Sequence, residues 1–183
     1  MSAAFEAAPR TDFLPARERR RASYDGPISI GRGQTNSQPR TVDDMLRLLD
    51  VRPGDRVLDV GAGSGWSTAL AHLTGETGSV RGVELEAELA AWGAENLRRA
   101  QVPWATLEQS IPGVLGLPEH APYDRILVSA EGGDVPAELV DQLAEDGRMV
   151  LPVRGRMMLV VRRGGDVEVS EHGYYRFVPL RRA

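Results

Sequence analysis

RVLDVGAGSGW, from Arg56 to Trp66, joins a short apolar run to three glycines at alternate positions, Gly61, Gly63 and Gly65. The run Arg56–Val60 has the length and β-branched content of a buried strand, and Trp66–Leu73 reads as a helix. Glycines between a strand and a helix let backbone approach a ligand where a Cβ would stand in the way. Amides at the start of the helix then face whatever polar group lies there. Upstream, Thr41 can N-cap a helix whose apolar face is Val42, Met45, Leu46 and Leu49, ended by Arg52-Pro53-Gly54-Asp55. Downstream, Ser79–Val83 reads as a second strand ending at Glu84, Glu86–Ala100 as a helix, Ala105–Leu107 as a weak strand and Tyr123–Ser129 as a strong one. Pro136–Leu143 reads as a helix broken by Gly147. The β-rich segments Arg148–Val153, Met157–Arg163, Val167–Ser170 and Tyr174–Leu180 follow, with Gly164-Gly165 as a hairpin turn. This alternation predicts an α/β fold: a mostly parallel sheet covered by helices on both faces, with an antiparallel hairpin at its C-terminal end.

Composition narrows the chemistry. A chain of 183 residues, 42% hydrophobic and 26% charged, can bury one substantial core, so wholesale disorder is excluded. Without Cys there is no disulfide, Cys–zinc site or thiol nucleophile. All 22 basic residues are Arg, which removes lysine Schiff-base chemistry and a P-loop lysine. His72, His120 and His172 are too scattered to suggest a metal site. Nothing resembles a signal peptide or a membrane span, which points to a cytoplasmic protein. The net charge of −4 gives no global field for nucleic acid, and the local cluster Arg17, Arg19, Arg20, Arg21 reads as a solvated turn.

Glu84 closes the second strand, 23 residues after Gly61. A carboxylate there can accept both ribose hydroxyls of a nucleoside. The spacing GxGxG is not GxGxxG, and Asp59 puts a negative charge beside the loop. That charge would repel a pyrophosphate and not a cationic sulfonium, which favours S-adenosylmethionine over a dinucleotide. Asp59, Gly61, Ala62, Gly63, Ser64, Gly65 and Glu84 are therefore the expected cofactor-binding set. The plainer reading is a tight strand–helix turn with no ligand.

The first 40 residues read as an irregular arm, broken by Pro9, Pro15, Pro27 and Pro39, whose apolar Phe13, Leu14, Tyr24, Ile28 and Ile30 should pack on the body. Within it, Gln34-Thr35-Asn36-Ser37-Gln38 lies between a glycine turn and a proline, too polar for core. Composition alone also allows a simple helix-capping loop. We divide the chain into an arm, 1–40, packing over the active site, and a cofactor-binding domain, 41–183.

The sequence GPISIGRGQTNSQP ahead of VLDVGAGSGW resembles the protein-L-isoaspartate O-methyltransferases, which carry PLPIGxGQTISQP ahead of VLEIGTGSGY. The resemblance extends to PRTDFLP upstream, and to LVDQLAEDGRMVLPV and RFVPL downstream. It implies a Rossmann-like class I methyltransferase fold with a seven-stranded sheet, and methyl transfer from S-adenosylmethionine to the free carboxylate of L-isoaspartyl residues in damaged proteins or peptides. It further implies that Ser37 is the active-site hydroxyl, and that Gln34, Thr35 and Asn36 line the junction of cofactor and substrate. The expected enzyme is a monomer acting on protein rather than nucleic acid. A carboxylate is already ionised at neutral pH and needs positioning more than a base, so the lack of Lys is no obstacle.

Three departures from the family pattern stand out. The N-terminal extension is represented by FEAAPRTDF, Phe5–Phe13. The family's acidic GDG segment, whose acid contacts the adenine, is here Gln109-Ser110-Ile111-Pro112-Gly113. The segment after the fourth strand carries extra acids, Glu131 and Asp134. They leave two other readings in play: a methyltransferase for another carboxylate or for RNA, and a non-catalytic binding module that retains the fold.

Overall fold

A computed structural model describes residues 2–181, without the side chains of Ser2, Ala71 and His72; His72 therefore lies outside the described side chains. The chain builds one seven-stranded sheet. Its strands are β3 (Arg56–Val60), β4 (Ser79–Glu84), β5 (Ala105–Gln109), β6 (Tyr123–Val128), β7 (Leu143–Val153), β8 (Arg156–Arg163) and β9 (Asp166–Tyr174), in the order β5-β4-β3-β6-β7-β8-β9. β3 to β7 are mutually parallel, while β8 and β9 run antiparallel to their neighbours and turn at Gly164-Gly165. Helices α2 (Pro39–Leu49), α3 (Trp66–Ala69), α4 (Ala87–Arg99) and α5 (Ala137–Val140) accompany the sheet. One apolar cluster joins Val42, Met45, Leu46 and Leu49 of α2 to Val57, Val80 and Leu127; a second lies around Leu58, Ile126, Val128, Leu139 and Met149. Alternate residues of the central strands thus feed opposite faces.

The order reverses at β3: β4 lies on one side and β6 on the other. In such sheets the crevice outside the strand C-termini at the reversal is where ligands bind. The GAGSG loop leaves β3 at that point.

Several sequence expectations need correction. The arm is not irregular. It holds α1 (Ser2–Ala7), 3-10 turns at Arg10–Phe13 and Ala16–Arg21, and an antiparallel ribbon of β1 (Ile28–Gly31) and β2 (Gln34–Asn36). Ala4, Ala8 and Phe13 are buried in the same cluster as α2. Helix α2 starts at Pro39 rather than after Thr41, because proline's fixed φ suits the first helical position; the Thr41 hydroxyl instead bonds the Gln38 side chain at 3.3 Å. The helix expected over 136–143 is only Ala137–Val140. Leu143 already pairs with Tyr123, and the register shifts before Arg148, so Glu145-Asp146-Gly147 is absorbed into β7 as an irregularity. Tyr174–Leu180 is not a strand: β9 ends at Tyr174, and the rest returns across the sheet end through one bridge, Glu131 with Pro179, with Glu131 N bonded to Val178 O at 2.8 Å.

Candidate functional site

The cleft opens at the C-terminal ends of β3, β4 and β6. Its walls come from the loop after β3, from Glu84 and Leu85, from Ser110 and Ile111, from Ser129 and Ala130, from the ribbon residues Gln34–Ser37, and from Val178–Arg181. Every residue of the expected set except Asp59 and Gly65 lines it.

Geometry explains the three glycines. Gly61, Gly63 and Gly65 all have positive φ, at 78°, 53° and 81°, where a side chain is strained. Gly65 is also a contact point: a Cβ there would come within 3.0 Å of the Gly93 carbonyl on α4. The loop is tied down from three sides. Gly61 N and Ala62 N both bond Val83 O, at 2.9 and 3.0 Å. Asn96 Nδ2 of α4 donates to Ser64 O at 2.8 Å. Gly63 N donates to Glu84 Oε2 at 2.9 Å.

Asp59 lies beneath the loop, 1% exposed, and does not face the cleft. Its Oδ2 accepts from the Ser67 and Thr68 hydroxyls at 2.6 and 2.7 Å, while Oδ1 has no partner. Burial pushes its pKa up to about 6, against the two hydroxyl bonds that lower it. The expectation of a charge presented to the ligand is thus corrected: Asp59 fixes the start of α3.

Glu84 is 6% exposed, and each of its oxygens accepts one backbone N–H, from Gly63 and from Glu86. No Arg pairs with it among the described residues. A buried carboxylate with unused lone pairs and no cation partner, facing a cleft, suits a ligand bearing hydroxyl donors and a positive charge. The chemistry of the residues present therefore fits S-adenosylmethionine. Where the family pattern has its acidic GDG segment, Ser110 and Ile111 line the cleft, with Ser110 N bonded to Glu84 O at 2.9 Å. Glu131 turns away from the cleft and accepts from Gly155 N at 3.1 Å; Asp134 is exposed. Neither lines the site, so the extra acids do not face a bound anion.

At the ribbon, Ser37 is partly exposed in the cleft. Its carbonyl accepts from Arg10 Nη2 at 2.9 Å, and none of the described residues hydrogen-bonds its hydroxyl. Asn36 is buried, with its side chain spent on Arg10 Nε at 2.6 Å and Ser64 Oγ at 3.2 Å, so it links ribbon to glycine loop. Val42, Met45, Val60, Trp66 and Leu127 give the cleft an apolar floor. Two ion pairs fasten its mouth to the start of α4: Arg32 of the ribbon tip with Glu88, and Arg181 with Glu86.

Sequence reasoning missed Arg10, Asn96 and the segment Val178–Arg181. Gly93 and Asn96 stand three apart on α4, a small and a polar residue facing the loop, and that pairing was the available signal. Trp66 is buried with its Nε1–H on Ala8 O at 2.9 Å, and Trp92 packs partly buried on Leu14, Ile28 and Leu89, as core residues. The Arg17–Arg21 run forms an exposed 3-10 turn in which Arg21 bonds Glu18 at 3.0 Å and stacks on Tyr24.

A mostly parallel sheet reversing at a glycine loop, with an acid closing the next strand, is a Rossmann-like nucleoside-binding fold, the class that holds the S-adenosylmethionine-dependent methyltransferases. Comparison with known proteins gives the family. A model described as Protein-L-isoaspartate(D-aspartate) O-methyltransferase matches residues 1–183. A protein-L-isoaspartate O-methyltransferase of Methanopyrus kandleri is 44% identical over 178 residues, covering 94% of this chain and 79% of the relative. That of Methanocella arvoryzae is 43% identical over 177 residues, covering 94% and 93%. A solved protein-L-isoaspartate O-methyltransferase superposes with a TM-score of 0.90 at 25% identity, over 98% of this chain and 60% of that one. A second, a beta-aspartate methyltransferase from Plasmodium falciparum in complex with S-adenosyl-L-homocysteine, shares the fold with a TM-score of 0.84 at 24% identity, over 98% and 88%. The chain belongs to the protein-L-isoaspartate(D-aspartate) O-methyltransferase family and is an S-adenosylmethionine-dependent protein carboxyl O-methyltransferase. Among the described residues, no helix is long and apolar enough to cross a membrane.

Proposed function

We propose that Ser37 orients the free carboxylate of an L-isoaspartyl residue for methylation, with Gln34, Thr35 and Asn36 forming the junction between acceptor and cofactor. In this reading Glu84, Gly61, Ala62, Gly63, Ser64 and Gly65 hold the cofactor, and Asp59 supports them from below. When bound, S-adenosylmethionine supplies an activated methyl group and a thioether leaving group. The acceptor carboxylate is ionised at neutral pH, so no residue has to remove a proton. What the protein contributes is position and a dry surface. The Ser37 hydroxyl and neighbouring amide groups of the ribbon can donate to one carboxylate oxygen and leave the other free. Val42, Met45 and Leu127 keep water from the reacting face. With no Lys in the chain and no Arg but Arg181 in the wall, the carboxylate is not trapped by a strong cation, which would lower the ground state more than the transition state.

The observation that carries this reading is the Ser37 hydroxyl, which has no hydrogen-bond partner among the described residues, in the same cleft as Glu84. The reading includes a monomer in the cytoplasm that acts on damaged proteins and not on nucleic acid; the net charge of −4 supports the last point. Ser37→Ala is the direct test. With an isoaspartyl peptide, kcat should fall roughly 10- to 100-fold, the value of one hydrogen bond to a charged group. S-adenosylhomocysteine affinity should be unchanged. Full turnover in this variant would remove Ser37 from the mechanism.

A further inference from the structure

Arg10 begins the 3-10 turn Arg10–Phe13 and is 6% exposed. A buried guanidinium is costly unless its donors are satisfied. Here they are, but by no carboxylate. Nε donates to Asn36 Oδ1 at 2.6 Å, Nη1 to Tyr24 O at 2.7 Å and Ala22 O at 3.4 Å, and Nη2 to Gly26 O, Asn36 O and Ser37 O at 2.8, 3.1 and 2.9 Å. Its Cζ also lies over the Trp66 ring, 5.4 Å from the ring centroid, in the floor of the cleft. Burial lowers the Arg10 pKa to about 10, a measure of how far it is withdrawn from water.

The acceptors are not spread over the fold. They belong to two stretches only, Ala22–Gly26 and Asn36–Ser37, and none is in the main sheet. The arm has its own anchors in the core, Ala8, Phe13 and Leu14. Arg10 is therefore not needed to attach the arm. It fixes the backbone on which the Ser37 side chain stands, and through Asn36 it ties that backbone to Ser64 of the glycine loop, 3.2 Å away. Only a planar fork with five N–H donors can serve two stretches at once; an ammonium has three donors on a single atom.

We propose that Arg10 is a positioning residue for the acceptor half of the site, setting the place of the Ser37 hydroxyl relative to the glycine loop. The proposal rests on the reading of Ser37 given above. It sets Arg10 apart from a residue that merely stabilises the arm, because its loss should slow turnover without loosening the cofactor.

The test is a cycle of Arg10→Lys, Ser37→Ala and the double variant, with kcat and KM for an isoaspartyl peptide expressed per S-adenosylhomocysteine-binding site, so that unfolded material does not count. Arg10→Lys should lose roughly 10- to 100-fold in kcat, up to and not beyond the loss in Ser37→Ala, because it acts through that hydroxyl. Its S-adenosylhomocysteine affinity should stay within about threefold of the parent, and the double variant should be no more than about threefold slower than Ser37→Ala. Asn36→Ala leaves the guanidinium its five carbonyl acceptors and serves if Arg10→Lys does not fold; about tenfold lower kcat is expected from the loss of one charged hydrogen bond. Parent kcat in Arg10→Lys, or in Asn36→Ala where that variant has to stand in, overturns the proposal while leaving Ser37 in place if Ser37→Ala is slow. Losses that multiply in the double variant also overturn it. Parent turnover in Ser37→Ala sinks the Ser37 reading itself, and the Arg10 proposal with it.

Discussion

Gly93→Ala sets two effects of opposite sign against each other. Gly93 is inside α4, where alanine is favoured over glycine by about 1 kcal/mol. On helix propensity alone the variant should be more stable. The structure says otherwise. A Cβ at Gly93 would lie 2.7 Å from Leu107 Cδ1 and 2.9 Å from the Gly63 carbonyl oxygen. The leucine methyl can turn aside; the Gly63 carbonyl cannot, since its own residue is bonded to Glu84 at 2.9 Å. Overpacking of this kind costs about 1–3 kcal/mol. Set against the helix gain, the net loss is about 1 kcal/mol, or a fall in Tm of roughly 2–4 °C for a domain of this size. The cofactor should feel it more. Strain at Gly63 shifts the glycine loop and the Glu84 carboxylate it bonds, both in the proposed cofactor site, so S-adenosylhomocysteine affinity should drop by about tenfold, about 1.4 kcal/mol of lost fit. Titration calorimetry with S-adenosylhomocysteine and thermal melts of parent and variant measure both quantities. A variant that melts higher and binds with unchanged Kd would refute the close-approach argument.

Glu84→Gln replaces an acceptor of two backbone N–H groups by an amide that must present its NH2 to one of them. Cofactor KM should rise by about tenfold or more, from a loss of roughly 1.5–3 kcal/mol, with kcat much less affected; an unchanged cofactor KM would remove Glu84 from the site. Asp59 gives a pH dependence of definite sign. Its folded pKa of about 6 is raised above the ordinary 3.8, so its contribution to stability is fully present below about pH 4 and is lost as pH rises through 6, a change of about 3 kcal/mol. Asp59→Asn cannot titrate, and should gain on the parent by that amount between pH 4 and 7 in urea unfolding; parallel stability curves would contradict the assignment.

The repeating part of the fold was legible because it obeys local rules. β3, β4 and β6 are apolar runs, α2 and α4 show a 3.6-residue face, and Gly164-Gly165 marks the hairpin between β8 and β9. What escaped is held by contacts distant in sequence. Arg10 reads as one more surface charge until Asn36, 26 residues on, is placed beside it. The ribbon β1–β2 is too short for periodicity to show around Gly31-Arg32-Gly33. Residues 175–181 have strand-like composition, yet they carry the Arg181–Glu86 pair and the Tyr175 hydroxyl on Asp44 at 2.9 Å instead of a ladder. Asp59 stands at the loop, as its place at the end of the run suggests, but its carboxylate is taken by the Ser67 and Thr68 hydroxyls, contacts that an apolar strand pattern does not reveal.

The central claim is that this cleft delivers a methyl group to an isoaspartyl carboxylate. Two peptides of one sequence, differing only in whether a single residue is L-isoaspartyl or L-aspartyl, incubated with methyl-labelled S-adenosylmethionine, test it most directly. Label entering the isoaspartyl peptide alone, as an ester released by mild base, is the expected result. Equal labelling of both peptides, or none in a protein that still binds S-adenosylhomocysteine, would contradict it.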